Sequence, residues 1–362
     1  MTILSVIVNY VEALGLRVPI RSTESVRKYL MKHNMIRRDL YIEKCNDYVY
    51  LPLSQFPLTT INSDLQLYEM VRKKFRKKPN KPTTYKDIAL VPNQIKPVLP
   101  TSYDIIGDIA IIKLPEKLIK YKQEISEALI QSNRNIKVVC LDEGVIGEFR
   151  VRKLHIIAGE KRTTTSHKEF DATFEMDIQK VYYSPRLASE RKRIADQVQS
   201  GEIVIDLFAG VAPFSIMIAK YADPKLVYAI DKNKDAVFYA KKNIVKNNVL
   251  DKVEITEGDV KKIIPKLIKK NVTADRIIMN LPFSSSKFFE KALPLINKKG
   301  IIHYYEVLDQ QQITSRIRWL KHTCTNYNAE CMIKDQREIK TYSPRELYIG
   351  VDIEVKKRAD VA

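Results

Sequence analysis

Between residues 202 and 306 the sequence alternates short β-branched runs with helical stretches at the spacing of parallel βαβ crossovers. This spacing constrains the fold most, because parallel strands need long crossover connections and are buried on both faces. The predicted strands are 202–206, 226–231, 252–257, 276–280 and 300–306. In such a sheet ligands bind at the carboxyl ends of the strands, where we expect the chemistry.

The first four strands end on or beside an acidic or amide side chain: Asp206, Asp231, Asp259 and Asn280. The turn after the first strand contains one glycine, Gly210, whereas a dinucleotide fold has the pattern Gly-x-Gly-x-x-Gly. Asp206 at this strand end would repel a pyrophosphate. The pattern therefore favours a cationic ligand, and S-adenosylmethionine carries both an ammonium and a sulfonium.

The spacing also assigns parts of this ligand to the strand ends. Asp231 lies one βαβ unit after the first strand, where a carboxylate can accept hydrogen bonds from both ribose hydroxyls. Asp259 is placed to accept from an adenine amino group. The predicted cofactor-binding residues are Asp206, Phe208, Ala209, Gly210, Asp231, Lys232, Asp259, Val260 and Asn280.

The chain has a formal charge of +19, with 62 Lys and Arg against 43 Asp and Glu. This excess favours a polyanionic partner, although basicity alone does not separate RNA from DNA or from an anionic membrane. The densest basic run, residues 72–82, ends a predicted helix-like stretch. It is either a solvated linker or an arm that contacts phosphates, and the sequence leaves both interpretations open.

Two smaller units are predicted before the parallel sheet. Residues 18–53 predict an α+β unit with a helix at 24–34 and strands at 40–43 and 48–51. The second unit is predicted to have strands at 104–112, 136–140, 149–157 and 174–181 in one sheet, with a helix at 116–131. Residues 343–345 are expected to turn a terminal hairpin that closes the larger sheet.

The four cysteines show no paired short spacing, which predicts a reduced intracellular protein. A hairpin could bring Cys324 and Cys331 together, but nothing in the sequence supports a disulfide there. No histidines are paired at ligand spacing, so we expect a reaction that needs no metal. The apolar run at residues 3–8 is too short to span a bilayer and lacks the features of a signal peptide.

These motifs resemble those of the class I methyltransferases, and more narrowly those of the archaeal and eukaryotic tRNA (guanine-37 N1) methyltransferase family. Besides the strand ends, the resemblance is carried by residues 18–53, 102–108, 147–152, 165–169 and 182–191. It implies an α/β fold: a class I, Rossmann-like methyltransferase domain with two smaller N-terminal α+β domains.

The family's organisation implies four segments in this chain. They are a small α+β tRNA-recognition domain at 1–65, a basic linker at 66–100, a middle α+β domain contacting the anticodon stem-loop at 101–182, and the S-adenosylmethionine-binding domain at 183–362. The resemblance also implies a monomeric, cytoplasmic enzyme without a membrane segment, which binds tRNA at its elbow and its anticodon loop.

By resemblance, five residues are assigned to catalysis. Glu190 is similar to the general base, Arg150 to the arginine that approaches the guanine, and Tyr182 to an aromatic residue of the site. Asn280 and Pro282 are similar to the catalytic Asn-Leu-Pro motif. We expect substitution of Glu190 or Arg150 by Ala to lower the rate and leave donor affinity intact.

These residue types suit methylation of guanine N1. The N1 proton must leave before or during attack on the donor methyl, which calls for a carboxylate within hydrogen-bond reach. Negative charge then spreads to O6, where the guanidinium of Arg150 stabilises it. The Asn280 amide can donate and accept at the purine edge, and Pro282 rigidifies its backbone.

The sequence departs from the family at Ala212, where the family usually has glycine. Alanine fits if the backbone angle is ordinary, so we expect cofactor binding to survive. If the turn requires a positive φ, donor affinity should suffer.

Three alternatives to N1 methylation remain. The first is methylation at C7 of the tricyclic wyosine intermediate, 4-demethylwyosine, at nucleotide 37, alone or as a second activity. The second is transfer of the donor's aminocarboxypropyl group, which the Asn-Leu-Pro motif disfavours because the relative with that activity lacks it. The third is a noncatalytic RNA-binding protein, which the acidic strand ends disfavour.

Overall fold

The computed structural model describes residues 10–54, 68–78 and 84–358. The apolar run at 3–8 and residues 79–82 of the basic run lie outside these ranges. The chain forms two compact units, residues 1–88 and 89–362. Among the described residues, no helix is both long enough and apolar enough to cross a membrane.

The first unit is an antiparallel sheet with one helix on it. Its elements are β1 (Tyr10–Pro19), α1 (Thr23–Lys32), β2 (Glu43–Cys45), β3 (Tyr48–Pro52), β4 (Glu69–Arg76) and α2 (Tyr85–Ile88). The strand order is β2-β3-β1-β4. Leu16 and Leu51 of the sheet pack with Leu30 of α1 in one core, which confirms the helix predicted at 24–34.

Part of the basic run is an edge strand, so the helix-like stretch predicted there is wrong. Residues 69–76, inside the predicted linker 66–100, pair with β1 as β4. The physical reason is Phe75, which is buried against Gly15, where an added Cβ would lie 2.6 Å from the ring. Arg72, Lys74 and Arg76 are exposed and alternate with Val71, Lys73 and Phe75, a period that suits a strand with one solvated face.

The second unit begins with a four-stranded sheet in the order β5-β6-β7-β8. Its elements are β5 (Asp104–Ile106), β6 (Ile109–Ile112), α3 (Lys122–Ser132), β7 (Val138–Ile146) and β8 (Val151–Gly159). A separate hairpin follows, formed by β9 (Thr164–Glu169) and β10 (Ala172–Asp177). The single strand predicted at 104–112 is therefore two strands, and the strand predicted at 174–181 lies in a different sheet from the others.

Gly107 explains why the predicted strand breaks. Its φ is +59°, and its N–H donates to His167 Nδ1 at 2.9 Å. The next residue, Asp108, accepts from Thr165 Oγ1 at 2.8 Å and from Arg162. This turn docks the four-stranded sheet on β9.

Substitution of Gly107 by Ala should lower the free energy of unfolding by about 3 kcal/mol, because a positive φ and a steric clash combine. A Cβ there would lie 2.1 Å from Thr165 Oγ1 and 2.6 Å from the Ser166 carbonyl oxygen. Gly201→Ala is the matched control, because φ is +80° with no atom within 4 Å, and only about 1 kcal/mol should be lost. Equal losses in urea denaturation of the two variants would contradict the docking role.

A seven-stranded sheet in the order β13-β12-β11-β14-β15-β17-β16 forms the rest of the unit. Its elements are α4 (Ala188–Ala195), β11 (Ile203–Asp206), α5 (Pro213–Tyr221), β12 (Leu226–Asp231), α6 (Lys234–Lys246), β13 (Val253–Glu257), α7 (Val260–Lys269), β14 (Ala274–Met279), α8 (Ser286–Ala292), β15 (Ile296–Asp309), α9 (Ile313–Asn326), β16 (Ala329–Thr341) and β17 (Glu346–Lys357). Strands β11 to β15 are parallel, as predicted, and β16 and β17 form the expected terminal hairpin.

Two apolar cores cover the two faces of this sheet. One contains Ile216 of α5 and Ile244 of α6 and continues to Cys140 of β7, which makes the second unit a single body. The other contains Phe289 of α8 and Leu320 of α9. The strand order reverses direction beside β11, and the crevice at such a point is where open α/β sheets bind ligands.

The structure joins Cys324 at the end of α9 to Cys331 of β16 in a disulfide. The expectation of fully reduced cysteines is wrong for this pair. The turn at residues 327–328 folds β16 back along α9 and brings the two thiols together, a tertiary proximity that their spacing of seven residues did not indicate.

Candidate active site

A cavity of about 540 Å³ lies at the carboxyl ends of the parallel strands. Ten of the thirteen predicted site residues line it: Arg150, Tyr182, Phe208, Gly210, Asp231, Lys232, Asp259, Val260, Asn280 and Pro282. The remaining three, Glu190, Asp206 and Ala209, do not. The size is in the range of small-molecule sites.

Asp231 at the end of β12 is the most constrained carboxylate of the cavity. Its Oδ2 accepts from the Gly210 N–H at 2.7 Å and its Oδ1 accepts from the Asn233 N–H at 2.8 Å. Burial raises the pKa of this carboxyl, and the backbone donors oppose that shift. The side chain is thereby fixed beside the Gly210 turn, with lone pairs left over for a ligand.

The end of β13 supplies the next part of the wall. Asp259 begins α7, and its Oδ1 accepts from the Lys261 N–H at 2.8 Å. Its Oδ2 lies 3.6 Å from Lys232 Nζ. Phe208 packs edge-to-face on Phe288, with ring centroids 5.1 Å apart. Acidic oxygens beside aromatic faces suit a flat, cationic nucleoside.

Asp206 lies behind this wall, which corrects its predicted contact with the ligand. The side chain is fully buried, and its Oδ2 accepts from Ser215 Oγ at 2.8 Å. Burial raises the pKa of Asp206 to about 7. Ala209 is also buried, and its N–H donates to the Ile230 carbonyl at 2.9 Å. Both residues support the turn between β11 and α5 from the side that faces away from the cavity.

Asp206 should make stability depend on pH. Its folded pKa of about 7 exceeds the unfolded value, so stability should fall as pH rises from about 4 to about 7. The loss from this group is on the order of 4 kcal/mol. Asp206→Asn should remove that slope in urea titrations between pH 4 and pH 8. The exposed Asp251→Asn is the control, and an unchanged slope in Asp206→Asn would contradict the assignment.

Ala212 has φ +64°, so the turn has the positive φ for which a lower donor affinity is predicted, and that lower affinity stays a prediction. The left-handed conformation costs alanine about 1 kcal/mol. Its methyl is fully buried, and burying a group of that size stabilises by about 0.8 kcal/mol. The two effects nearly cancel, which is why the turn keeps its shape without glycine.

The acceptor end of the cavity combines cations with aromatic rings. The Arg150 guanidinium stacks 3.8 Å from the centroid of Phe283, which follows the Asn-Leu-Pro motif. Tyr342 packs edge-to-face on the same ring at 5.2 Å. Tyr182 and Phe283 are 37% and 40% exposed, so they present open faces on which a base can stack.

The loop that carries Asn280 is held by hydrogen bonds on both sides. The Pro282 carbonyl accepts from the Val307 N–H of β15 at 2.7 Å. The buried Ser285 donates its hydroxyl to the Met279 carbonyl at 2.9 Å. Tyr348 of β17 donates its hydroxyl to Asn280 Oδ1 at 2.5 Å. Backbone and amide of Asn280 are both fixed at the cavity wall.

Glu190 is not among the residues that line the cavity, and its assignment as general base stays a prediction. Its carboxylate is buried and accepts from Tyr305 Oη at 2.6 Å, Arg193 NH2 at 2.8 Å and Arg337 NH2 at 2.5 Å. These three donors lie on β15, α4 and β16, so the carboxylate is held where these elements meet. Its partner Tyr305 packs against the cavity residue Tyr348 with ring centroids 6.1 Å apart, so Tyr305 separates Glu190 from Tyr348.

Several cavity residues were not predicted. They include Glu148, Phe283, Phe288, Lys340, Tyr342 and Tyr348. Phe283 had a usable signal, since it directly follows the motif at 280–282. Tyr348 sits in an apolar strand whose sequence reads only as a core element, and its position at the cavity depends on β17 inserting between β15 and β16.

The cavity fits S-adenosylmethionine. Asp231 and Asp259 supply acceptors, Phe208 and Val260 supply apolar contact, and no atom lies closer than 3.9 Å to a Cβ built on Gly210. Over the ranges the structure describes, no group of three or more His, Cys, Asp or Glu residues is arranged to hold a metal ion.

Family models match three consecutive parts of the chain. The tRNA methyltransferase 5 N-terminal domain matches residues 15–57, the TYW2 N-terminal domain matches 88–163, and the TRM5/TYW2 methyltransferase domain matches 165–333.

Two whole proteins are similar over nearly the entire chain, and a third is similar over about two thirds of it. The tRNA (guanine(37)-N(1))-methyltransferase Trm5b of Pyrococcus abyssi is 37% identical, and the alignment covers 94% of this chain and 99% of that protein. The protein of the same name from Methanocaldococcus jannaschii is 33% identical, with 95% and 99% covered. The tRNA 4-demethylwyosine(37)-methyltransferase Taw21 of Saccharolobus solfataricus is 34% identical, with 69% and 92% covered.

Solved structures agree with these matches. The crystal structure of Trm5b from Pyrococcus abyssi superimposes with a TM-score of 0.72 at 36% identity, covering 95% of this chain and 99% of that one. The complex structure of aTrm5 and tRNALeu gives a TM-score of 0.65 at 33% identity, with 94% and 99% covered. The predicted fold class, a class I methyltransferase domain preceded by smaller domains, is confirmed.

Proposed function

Because this chain belongs to the TRM5/TYW2 methyltransferase family, we propose that it transfers the methyl group of S-adenosylmethionine to N1 of guanosine 37 in tRNA. The observation that carries this proposal is the single cavity in which Asp231 and Asp259 adjoin Arg150 and Asn280. Full-length relatives with this activity are 33% and 37% identical.

The donor end holds the methyl donor by its nucleoside. Asp231 would accept from the ribose hydroxyls, Asp259 would accept from the adenine amino group, and Phe208 would pack on the base. S-adenosylmethionine, when bound, supplies an electrophilic methyl group on its sulfonium. Beside it, Lys232 pairs with Glu148 at 2.7 Å and so links the donor site to the turn that carries Arg150.

The acceptor end prepares guanine for attack. The base leaves its stack and is held against Tyr182, with Arg150 and the Asn280 amide at its O6 edge. As N1 loses its proton, charge on O6 is stabilised by these donors. Glu190 is the proposed proton acceptor, and this role requires its carboxylate to exchange the Arg337 bond for guanine N1 when tRNA binds.

The basic surface gives the partner class. With a charge of +19, the chain suits RNA, and the solved complex of aTrm5 with tRNALeu is similar over nearly the whole chain. We assign residues 1–65 to the tRNA elbow and residues 101–182 to the anticodon stem-loop. The cavity is complete within residues 89–362 of one chain, which supports action as a monomer. The cytoplasm is the proposed location.

C7 methylation of 4-demethylwyosine at nucleotide 37 is the second candidate. It is favoured by the TYW2 N-terminal domain match at 88–163 and by the 34% identity to Taw21. Both activities use the same cavity and donor, so one chain could catalyse both.

The test identifies which nucleoside of the tRNA receives the labelled methyl group. The protein is incubated with labelled donor and unmodified tRNA, and separately with tRNA carrying 4-demethylwyosine, and the labelled nucleoside is identified. We expect 1-methylguanosine at nucleotide 37. Equal labelling of a transcript with adenosine 37 would reject the first function, and labelling of the tricyclic substrate alone would select the second.

A further inference from the structure

We infer that Tyr348 sets the polarity of the Asn280 amide so that the amide donates a hydrogen bond to the acceptor base, which selects a purine with a carbonyl oxygen at position 6. This inference rests on the proposed function and deepens it. Tyr348 is then a positioning residue, because it acts on the base through Asn280.

The first step is the hydrogen bond itself. Tyr348 Oη donates to Asn280 Oδ1 at 2.5 Å, and both residues line the cavity. Burial raises the pKa of Tyr348 well above its ordinary value, so the hydroxyl stays protonated and remains a donor. The amide oxygen of Asn280 is therefore occupied by a hydrogen bond within the protein.

The second step concerns the hydrogen-bonding groups of Asn280 that remain available to the ligand. Within the described part of the chain, Asn280 Nδ2 makes no hydrogen bond, while the side chain stays partly exposed at the cavity. An amide has two N–H donors and one oxygen acceptor. With the oxygen occupied, Asn280 presents only N–H groups to an incoming base.

The third step is the rigidity of the tyrosine. Tyr348 pairs with Val307 on one side and with Lys340 on the other, as the central strand between β15 and β16. Its ring packs against Tyr305, with centroids 6.1 Å apart, and the Tyr305 hydroxyl is fixed by Glu190 at 2.6 Å. The constrained ring keeps the hydroxyl beside Asn280 Oδ1, the amide atom that accepts from it.

The chemistry of the purine edge completes the argument. Guanine has an acceptor, O6, beside N1, whereas adenine has an amino donor there. As the N1–CH3 bond forms, the C–S bond breaks, the N1 proton leaves to a base and the sulfonium becomes a thioether. Charge from N1 spreads to O6, so an N–H donor at O6 strengthens during the reaction. An adenine would place two donors face to face, and sites built on hydrogen bonds reject such analogues strongly.

The experiment compares Tyr348→Phe with wild type on two tRNA transcripts, one with guanosine 37 and one with 6-thioguanosine 37, whose sulfur is a weaker acceptor. For wild type we expect kcat/KM about tenfold lower on the thio substrate. In Tyr348→Phe the amide is free to turn, so the guanosine rate should fall about tenfold, and the thio penalty should shrink to about threefold because Arg150 still donates at the same edge. Tyr342→Phe, a cavity tyrosine without a bond to Asn280, should keep the full thio penalty.

Donor affinity, measured by calorimetry, should be the same in Tyr348→Phe and wild type, which shows that the variant is folded. An unchanged thio penalty in Tyr348→Phe would overturn the inference while leaving the proposed function intact. Failure of wild type to methylate guanosine 37 at all would instead reject the proposed function.

Discussion

Arg150→Ala should lower kcat/KM for tRNA by about 100-fold to 1000-fold, the range seen when one donor to a developing oxyanion is removed. The guanidinium stacks on Phe283 beside Asn280, so it already lies at the acceptor end before tRNA binds. Donor affinity should stay within twofold, because Asp231 and Asp259 are unchanged. Single-turnover kinetics and donor calorimetry measure the two quantities separately.

Arg150→Lys tests the geometry of the cation. Lysine keeps the charge but loses the planar fork and the stacking that a guanidinium makes on an aromatic ring. We therefore expect it to restore less than a tenth of the lost rate. Lys153→Ala is the charge control, because this lysine lies on β8, directly after the turn that carries Arg150, is half exposed and pairs with Glu143 at 2.7 Å. A loss in Lys153→Ala as large as in Arg150→Ala would mean that general attraction for tRNA, and not O6, explains the effect.

Glu190→Gln should have two large effects at once. The free energy of unfolding should fall by about 3 kcal/mol, because Arg193 and Arg337 lose a buried counter-charge. The chemical step should also slow by about 100-fold or more, because amide nitrogen and oxygen do not accept the N1 proton. Urea denaturation measures the first effect, and single turnover at a temperature where the variant is folded measures the second.

Asp352→Asn separates these two effects. Asp352 is buried and accepts from the same two arginines, at 2.7 Å from Arg193 and 3.1 Å from Arg337, but it does not line the cavity and has no predicted catalytic role. It should lose similar stability and keep most of the rate. If Asp352→Asn slows the chemical step as much as Glu190→Gln, Glu190 supports the wall behind Tyr348 and is not the base.

Much of the site followed from the sequence because parallel strands end at one edge. Asp231, Asp259 and Asn280 are far apart in the chain, and all three line one cavity. The regular βαβ spacing alone predicts that these three side chains lie together. The motif at 147–152 could be placed only by resemblance, and the structure brings its Arg150 to within stacking distance of Phe283.

The sequence could not determine whether a side chain lines the cavity or is buried behind it. Asp206 and Glu190 belong to recognisable motifs, yet both are buried behind the cavity, one on Ser215 and the other between two arginines. Ser215 and the two arginines reach these carboxylates through tertiary packing, which the local sequence pattern does not specify. Likewise, the burial of Phe75 explains why part of the basic run forms a strand, because a residue's buried contacts outweigh its weak local propensity.

The sequence by itself determined the parallel sheet, the order of its strand ends and the cationic nucleoside they suit, because hydrophobic period and strand-end chemistry are local properties. Only the tertiary structure decided that β17 runs between β15 and β16, which places the Tyr348 hydroxyl on Asn280. The orientation of that amide depends on contacts between strands distant in the chain, and such contacts leave no mark in either segment alone.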